Sequence, residues 1–323
     1  MASLLIIGGS GFFGKSILDG YKRGLLSPWG IDLIYVFARN ADRLNNEAPE
    51  LMGPSIRLVN GDITSCKELP VADYVIHAAA STDAANYLSQ PEVEKKNIQA
   101  GTYNYCELAK KFHQNSRIVY CSSGAVYGQQ PLEIDKISED YEGGALTEMS
   151  LTKQDYAAAK QDAEKAIINL GKQGLSVSIA RCFAFMGPYL PRDQHFAIGN
   201  FIEDGLNNRP IQVKAEHLVY RSYLYADDLV QWLMRICERG DSHCPIFNVG
   251  SDEAFEIRAI AKIISDRFNV PFRGADIRSL NIDRYVPSIE KAKHIGSLTI
   301  HFDTQQAINE TITSILSRDR LRD

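Results

Sequence analysis

The sequence has no CxxC pair, no long apolar run, no surplus of basic residues and no internal repeat. Each absence narrows the field. Six cysteines stand at 66, 106, 121, 182, 237 and 244 without the spacing of a zinc site or a dithiol redox motif. Several sit in apolar runs, as in Val119-Tyr120-Cys121, which suits buried free thiols in a reducing compartment. No metal site is expected. No apolar stretch reaches the ~18–20 residues of a membrane span. The start, Leu4-Leu5-Ile6-Ile7, meets glycine at once and lacks the charged and apolar regions of a signal peptide. A cytoplasmic location without membrane attachment is therefore expected. With 35 basic against 40 acidic residues the net charge is −5, which argues against a nucleic-acid partner.

The chain is otherwise ordinary: 323 residues, 45% hydrophobic and 23% charged, the composition of a globular protein. Short apolar runs alternate with helical patterns through the first 180 residues. Strands are expected at Leu4–Ile7, Leu33–Phe37, Ile56–Val59, Tyr74–Ile76, Ile118–Cys121 and Val177–Ala180. Helices are expected at Lys15–Arg23, Glu92–Phe112 and Gln154–Leu170. Strands apolar on both faces, separated by helices, imply a doubly wound parallel α/β sheet. After Arg181 the rhythm loosens, with Pro188, Pro191, Gly199, Gly205 and Pro210 as punctuation. Two further β-like pieces, Tyr223–Tyr225 and Ile246–Val249, flank a helix from about Asp227 to Cys237, and two helical patterns follow Ile257. This half reads as a smaller lid that returns the chain to the main sheet.

Gly8-Gly9-Ser10-Gly11-Phe12-Phe13-Gly14 follows the first strand and opens the first helix. Glycines at 8, 11 and 14 permit a tight turn, close approach of a pyrophosphate, and close helix–strand packing. Helix N-terminal amides then face the phosphates. The segment reads as a dinucleotide site. At the end of strand two, Ala38-Arg39 stands where an acid would bind the ribose 2′-hydroxyl of NAD. A cation there suits a 2′-phosphate, so NAD(P) binding is expected with a lean to NADP(H); the alternative is a solvated surface arginine. Asp62, with Ile63 beside it, could serve the adenine, or be a turn aspartate. Ala78-Ala79-Ala80 supply small side chains where the dinucleotide passes the backbone.

Tyr156 and Lys160 are four apart on an expected helix and share one face. A free phenol titrates near ~10, and a neighbouring ammonium favours its phenolate, making a usable base. Ser123, in Ser122-Ser123-Gly124-Ala125-Val126-Tyr127-Gly128 after strand five, sits where ligands of such sheets bind and could orient the same substrate oxygen.

In this combination the chain resembles the extended short-chain dehydrogenase/reductases, the NAD(P)-dependent epimerase/dehydratase family acting on nucleotide sugars. The resemblance rests on Gly8–Gly14, Asp62, His77–Ala80, Asn97–Thr102, Ser122–Gly128, Tyr156–Lys160, Arg181–Pro188 and Arg221–Asp228. It implies a Rossmann domain over 1–182, completed by about 220–250, and an interleaved nucleotide-sugar domain from 183–219 and 251–323. It implies a nucleotide-diphosphate sugar as ligand and a homodimer through helices around Asn97–Lys111 and Gln154–Leu170. Ser123, Tyr156 and Lys160 match the catalytic triad, and Tyr156 and Lys160 are also implied to touch the cofactor. Arg221 and Arg278 match arginines that contact the diphosphate, and Ser123 also touches the sugar.

Departures from the family pattern restrict the chemistry. Dehydratases carry Asp-Glu after the catalytic Ser/Thr, and this chain has Gly124-Ala125. Epimerases at C3 and C5 carry cysteine at the position of Gly124. Ala184 replaces a substrate-binding asparagine of many members. What remains is hydride transfer at sugar C4, by a 4-ketoreductase or a C4 epimerase. His195 is either an extra acid near the sugar or a structural histidine. The alternatives are a non-enzymatic dinucleotide sensor, or a 4,6-dehydratase with atypical acid and base residues.

Overall fold

The computed structural model describes residues 2–80, 90–192, 194 and 196–320. The chain runs through β1 (Ala2–Ile7), α1 (Phe12–Lys22), β2 (Ile31–Ala38), α2 (Leu44–Glu47), β3 (Ile56–Asn60) and β4 (Tyr74–His77). It continues with α3 (Pro91–Phe112), β5 (Arg117–Ser123), α4 (Leu151–Lys172), β6 (Ser176–Cys182) and β7 (Phe185–Met186). Next come α5 (Ala197–Leu206), β8 (Ile211–Val213), β9 (Leu218–Arg221), β10 (Leu224–Tyr225), α6 (Ala226–Glu238) and β11 (Ile246–Val249). The final part holds β12 (Phe255–Glu256), α7 (Ile257–Phe268), β13 (Phe272–Gly274), β14 (Ile282–Tyr285), α8 (Glu290–His294) and α9 (Thr304–Arg320).

Seven strands form one sheet in the order β11-β6-β5-β4-β1-β2-β3, every neighbouring pair parallel. The alternation of side chains along a strand decides how it is covered. Leu4 and Ile6 of β1 join Leu229, Val230 and Leu233 of α6 in one core layer. Leu5 and Ile7 point the other way, into a layer with Ile98 and Tyr105 of α3 and Ala159 and Ala163 of α4. All four β1 side chains are fully buried. Each contributes about 1.5–3 kcal/mol by leaving water, which explains the apolar run.

The less regular half builds a second core. Ile198, Phe201 and Ile202 of α5 pack with Ile257, Ile260 and Ile264 of α7 and Ile308 and Ile312 of α9. Here the structure holds more order than the sequence suggests. The stretch punctuated by Gly199 and Gly205 is a helix, and a Cβ on Gly205 would stand 2.2 Å from the Phe268 ring. That glycine marks close helix packing, where the sequence reads as a break. The β-like piece around Tyr223 is β10, which pairs with β7 and stays outside the main sheet. Strands β12, β9 and β14 form a separate mixed sheet. Three helices, α7 to α9, follow Ile257 where two are expected. Buried Asp228 pins the final segment to α6: it accepts from the backbone N–H groups of His301 and Phe302, and His301 Nδ1 lies 2.7 Å away. Among the described residues, no helix is long and apolar enough to cross a membrane.

Candidate functional site

The strand order reverses between β1 and β4, so the connections that leave their carboxyl ends run in opposite directions and leave a crevice above the paired ends. Gly8 follows β1 and Ala78 follows β4 across this gap, and the Ala78 N–H donates to the Ile7 carbonyl at 2.8 Å. Gly8 has φ +85°, and a Cβ there would stand 2.7 Å from the Ala79 backbone, so only glycine fits. A cleft of about 560 Å³ opens here. Among the expected cofactor residues, Gly8, Gly11, Phe12, Arg39, Asp62, Ile63, Ala79 and Ala80 line it. Phe13, Gly14, Ala78, Tyr156 and Lys160, also expected to touch the cofactor, are not in the lining. Phe13 turns inward and meets Phe185 edge-on at 5.3 Å, and Ala78 packs on the same core layer.

Helix α1 begins at Phe12, three residues before the expected start, with Gly11 as its N-cap. Among the described residues it has no side-chain cap and no acidic residue in its first turn. Its first amides therefore face the cleft as an anion site. Asp62 accepts the Thr64 N–H at 2.9 Å, the turn geometry that shapes the cleft's far wall. Arg39 is exposed at the end of β2, and Arg43 donates to the Ser10 carbonyl at 3.2 Å. These arginines, with Lys15, line the same cleft. The glycine cradle, uncapped amides and flanking cations fit a dinucleotide.

The second group gathers where β5 meets α4. Lys160 is buried, and its ammonium donates to the Cys121 carbonyl at 2.8 Å and to the Tyr120 hydroxyl at 3.3 Å. It lies 4.9 Å from the Tyr120 ring centroid and 6.0 Å from that of Tyr156. Tyr156 stands one turn earlier on α4 and is half-buried. Ser123, the last residue of β5, caps a 3-10 turn, its Oγ accepting the Ala125 N–H at 3.2 Å. A phenol, an ammonium and a hydroxyl thus occupy one strand–helix junction, the arrangement needed to move a proton at a substrate oxygen.

A buried network holds this junction. Ser122 donates to Glu164, and the Arg181 Nη2 donates to the same carboxylate at 2.8 Å. Arg181 lies over the Tyr127 ring at 4.7 Å, and the Tyr127 hydroxyl donates to Asn248 at 2.8 Å. Burial pushes the Tyr127 phenol up to about 12, so it stays a neutral donor. Behind Lys160 sits His77, fully buried and flanked by Tyr105 and Tyr120. Burial, and then the Lys160 charge, hold this imidazole neutral down to about pH 3.

Arg221, at the end of β9, donates to Asp283 Oδ2 at 2.7 Å and to the Tyr220 and Asp283 carbonyls. Burial disfavours the Asp283 carboxylate, but the hydrogen bond and charge of Arg221 outweigh it and hold its pKa below the usual range. Arg278 lies on the connection between β13 and β14, largely exposed and paired with Glu216 at 3.2 Å. His195 lies outside the described residues. Two residues beyond the expected set join the site. Tyr285, on β14, neighbours Ser123, Tyr156 and Arg221, and Asp283 orients Arg221. Neither has a local motif, because both arrive on a strand more than a hundred residues from Ser123.

Comparison with known proteins agrees with this fold. A family model described as the NAD dependent epimerase/dehydratase family matches residues 4–250. Over 296 residues the chain is 27% identical to UDP-glucuronic acid decarboxylase 2 of Arabidopsis thaliana, covering 90% of this chain and 63% of that protein's length. Its fold superimposes on the UDP-glucose 4-epimerase of Thermotoga maritima with a TM-score of 0.80 and 18% identity, covering 98% of this chain and 99% of the other. MoeE5, solved with UDP-glucose and NAD, matches with a TM-score of 0.78 and 20% identity, covering 99% of each chain. The chain belongs to the NAD dependent epimerase/dehydratase family of enzymes.

Proposed function

We propose that this protein transfers hydride at C4 of a nucleotide-diphosphate sugar, as a 4-ketoreductase or a C4 epimerase. The observation that carries the reading is the junction of Ser123, Tyr156 and buried Lys160 at the carboxyl end of β5, the strand next to β4, whose following residues Ala79 and Ala80 line the cleft. The nicotinamide, when bound, accepts or returns the hydride. Tyr156 takes the proton of the C4 hydroxyl, or gives it back to the C4 oxygen. Lys160 keeps a positive charge beneath that phenol, which favours its ionised form. Ser123 donates to the same oxygen and fixes its position.

The cofactor is held by Gly8, Gly11, Phe12, Asp62, Ile63, Ala79 and Ala80 around the cleft, with the α1 amides on the pyrophosphate. Gly14, Phe13 and Ala78 support that wall from behind. Arg39, with Arg43 beside it, favours NADP(H) through the 2′-phosphate. Arg221 meets a sugar-nucleotide phosphate. Its hydrogen bonds among the described residues use Nη1 twice and Nη2 once, which leaves donor capacity at Nε and Nη2 for a phosphate oxygen. Arg278 would have to release Glu216 to join it. Two structural neighbours were solved with UDP-glucose, which supports this ligand class. Residues 1–182 with about 220–250 act as the cofactor domain, and 183–219 with 251–323 as the substrate domain. Val93 and Tyr103 are exposed on α3, which supports pairing of α3 and α4 with a second copy. Cytoplasmic residence accords with six free cysteines.

Decarboxylation is the second reading, favoured by the names of the curated relatives. Oxidation at C4 of a sugar acid makes a β-keto acid at C5, which loses carbon dioxide after the same hydride step. A panel of nucleotide sugars, their 4-keto forms and UDP-glucuronate, followed by nicotinamide absorbance and carbon dioxide release, separates these outcomes. Net reduction of a 4-keto sugar marks a reductase, inversion without net redox an epimerase, and gas release a decarboxylase. Purified protein that binds no dinucleotide and turns over none of these compounds would sink the proposal.

A further inference from the structure

Residues 187–192 leave β7 and reach the glycine-lined cleft before the chain enters α5. Tyr189 and Pro191 line that cleft together with Gly11, Phe12 and Lys15. The segment is a strap, fastened at several points. Its start is fixed by packing: a Cβ on Gly187 would stand 2.5 Å from the Ala226 side chain and 3.4 Å from the Phe12 ring. Its end lies on α5, where a Cβ on Gly199 would collide with the Pro191 carbonyl and Arg192 pairs with Glu203 at 3.1 Å. Between these ends the Tyr189 hydroxyl donates to Glu50, in the turn after α2, at 3.3 Å. Tyr189 thus ties the strap to the connection between β2 and β3.

A further fastening comes from the far end of the chain. Arg318, in the last turn of α9, donates from Nη2 to the Pro188 carbonyl at 3.1 Å. The same guanidinium stands over the Tyr189 ring, 4.7 Å from its centroid. A planar fork can do both at once, stacking on a ring while its edge donates to a carbonyl. Arg318 is not in the lining of the cleft, so any effect on a ligand there passes through the strap. A cavity of about 360 Å³, lined in part by Tyr189, Arg192 and Arg318, lies against the strap and gives it room to move when that hold is lost.

We propose that Arg318 is a positioning residue for the cofactor: it holds Pro188 and Tyr189 in place at the cleft wall and so slows release of the dinucleotide. This rests on the cofactor reading of the cleft and adds to it a residue from the C-terminal helix. A reductase exchanges its nicotinamide in every turnover, whereas a C4 epimerase keeps it through both hydride steps. The grip of α9 on the strap sets the exchange rate on which that difference turns.

The test needs no sugar substrate. Protein loaded with NADH or NADPH is mixed rapidly with excess NAD+ or NADP+, and the fall in bound nicotinamide fluorescence gives the release rate. Wild type, Arg318→Ala, Arg318→Lys, Tyr189→Ala and the Arg318→Ala/Tyr189→Ala double variant are compared, with thermal melts to confirm that each is folded. Arg318→Ala should release dinucleotide about tenfold faster, the effect of losing a charge-assisted hydrogen bond and a cation–ring contact. Arg318→Lys should still release it several-fold faster than wild type, since a point charge cannot stack and donate together. That variant keeps the charge and carries the comparison if Arg318→Ala does not fold. The double variant should stay within about twofold of Tyr189→Ala, because the arginine acts through that residue. Wild-type release from a folded Arg318 variant, even one with a lowered melting temperature, would overturn the proposal, and so would fully additive effects in the double variant. Wild type that binds neither dinucleotide defeats the cofactor reading itself, whereas bound cofactor with unchanged release defeats the role of Arg318 alone.

Discussion

The Lys160 ammonium donates to the Cys121 carbonyl across 2.8 Å, tying helix α4 to strand β5 two residues before Ser123. This bond sets the depth of Tyr156, one helical turn away, relative to the serine. It also aims a buried charge at the phenol.

Lys160→Met should therefore lower turnover by about 10²–10⁴-fold, the range for losing assisted proton transfer. Lys160→Arg should recover little, because a planar fork cannot replace a point charge between a carbonyl and a ring. Steady-state rates alongside dinucleotide titration check this, and a rate within twofold of wild type for Lys160→Met contradicts it.

Arg39→Ala should weaken NADPH about tenfold or more while leaving NADH nearly unchanged, since only the former carries the 2′-phosphate. Arg43→Ala should have a smaller effect of the same sign. Fluorescence titration of both cofactors measures it, and equal weakening of the two removes Arg39 from that role.

His77 makes stability depend on pH. Its ring is buried, and among the described residues neither nitrogen has a hydrogen-bond partner. Burial and then Lys160 lower its pKa from the usual 6.5 to about 3. Between those values the unfolded chain binds a proton that the folded one refuses. Stability should be full above pH 6.5 and fall by about 1.4 kcal/mol per pH unit as pH drops through that window. Urea denaturation at stepped pH, with His77→Phe for comparison, reveals the contribution as a slope that the variant loses. Identical slopes would show that His77 titrates normally.

Glu164 and Arg181 form a buried pair, with side chains 6% and 15% exposed. Glu164→Ala should cost about 3–5 kcal/mol by leaving the guanidinium uncompensated, and should loosen the Ser122 end of β5. Chemical denaturation gives the first, and amide exchange at 121–123 the second. A loss under 1 kcal/mol would mean that water or another acceptor replaces the carboxylate.

The half that builds the main sheet and the glycine-lined cleft was legible in the sequence because its signals are local. Apolar runs such as Leu4–Ile7 are buried on both faces, and Gly8, Gly11, Tyr156 and Lys160 lie in short motifs attached to single elements. The boundaries slipped where tertiary contacts decide them, as with α1 starting at Phe12. The other half was hard to read for a physical reason. Strands β9, β12 and β14 are two to four residues long and exist through pairing with remote partners. Tyr285 belongs to one of them, so nothing near it in sequence points to Ser123. Gly124 did carry a signal, the absence of an acid, but only the fold shows that a Cβ there would meet the Phe183 ring and the Tyr285 hydroxyl.

The most direct measurement is the Tyr156→Phe variant, assayed on the nucleotide sugar that the wild type turns over and titrated with NAD(P)+. The account predicts turnover lower by about 10²–10⁴-fold with dinucleotide affinity within a few-fold of wild type. Turnover retained in the folded variant would contradict it, because no other residue is assigned to move the C4 proton.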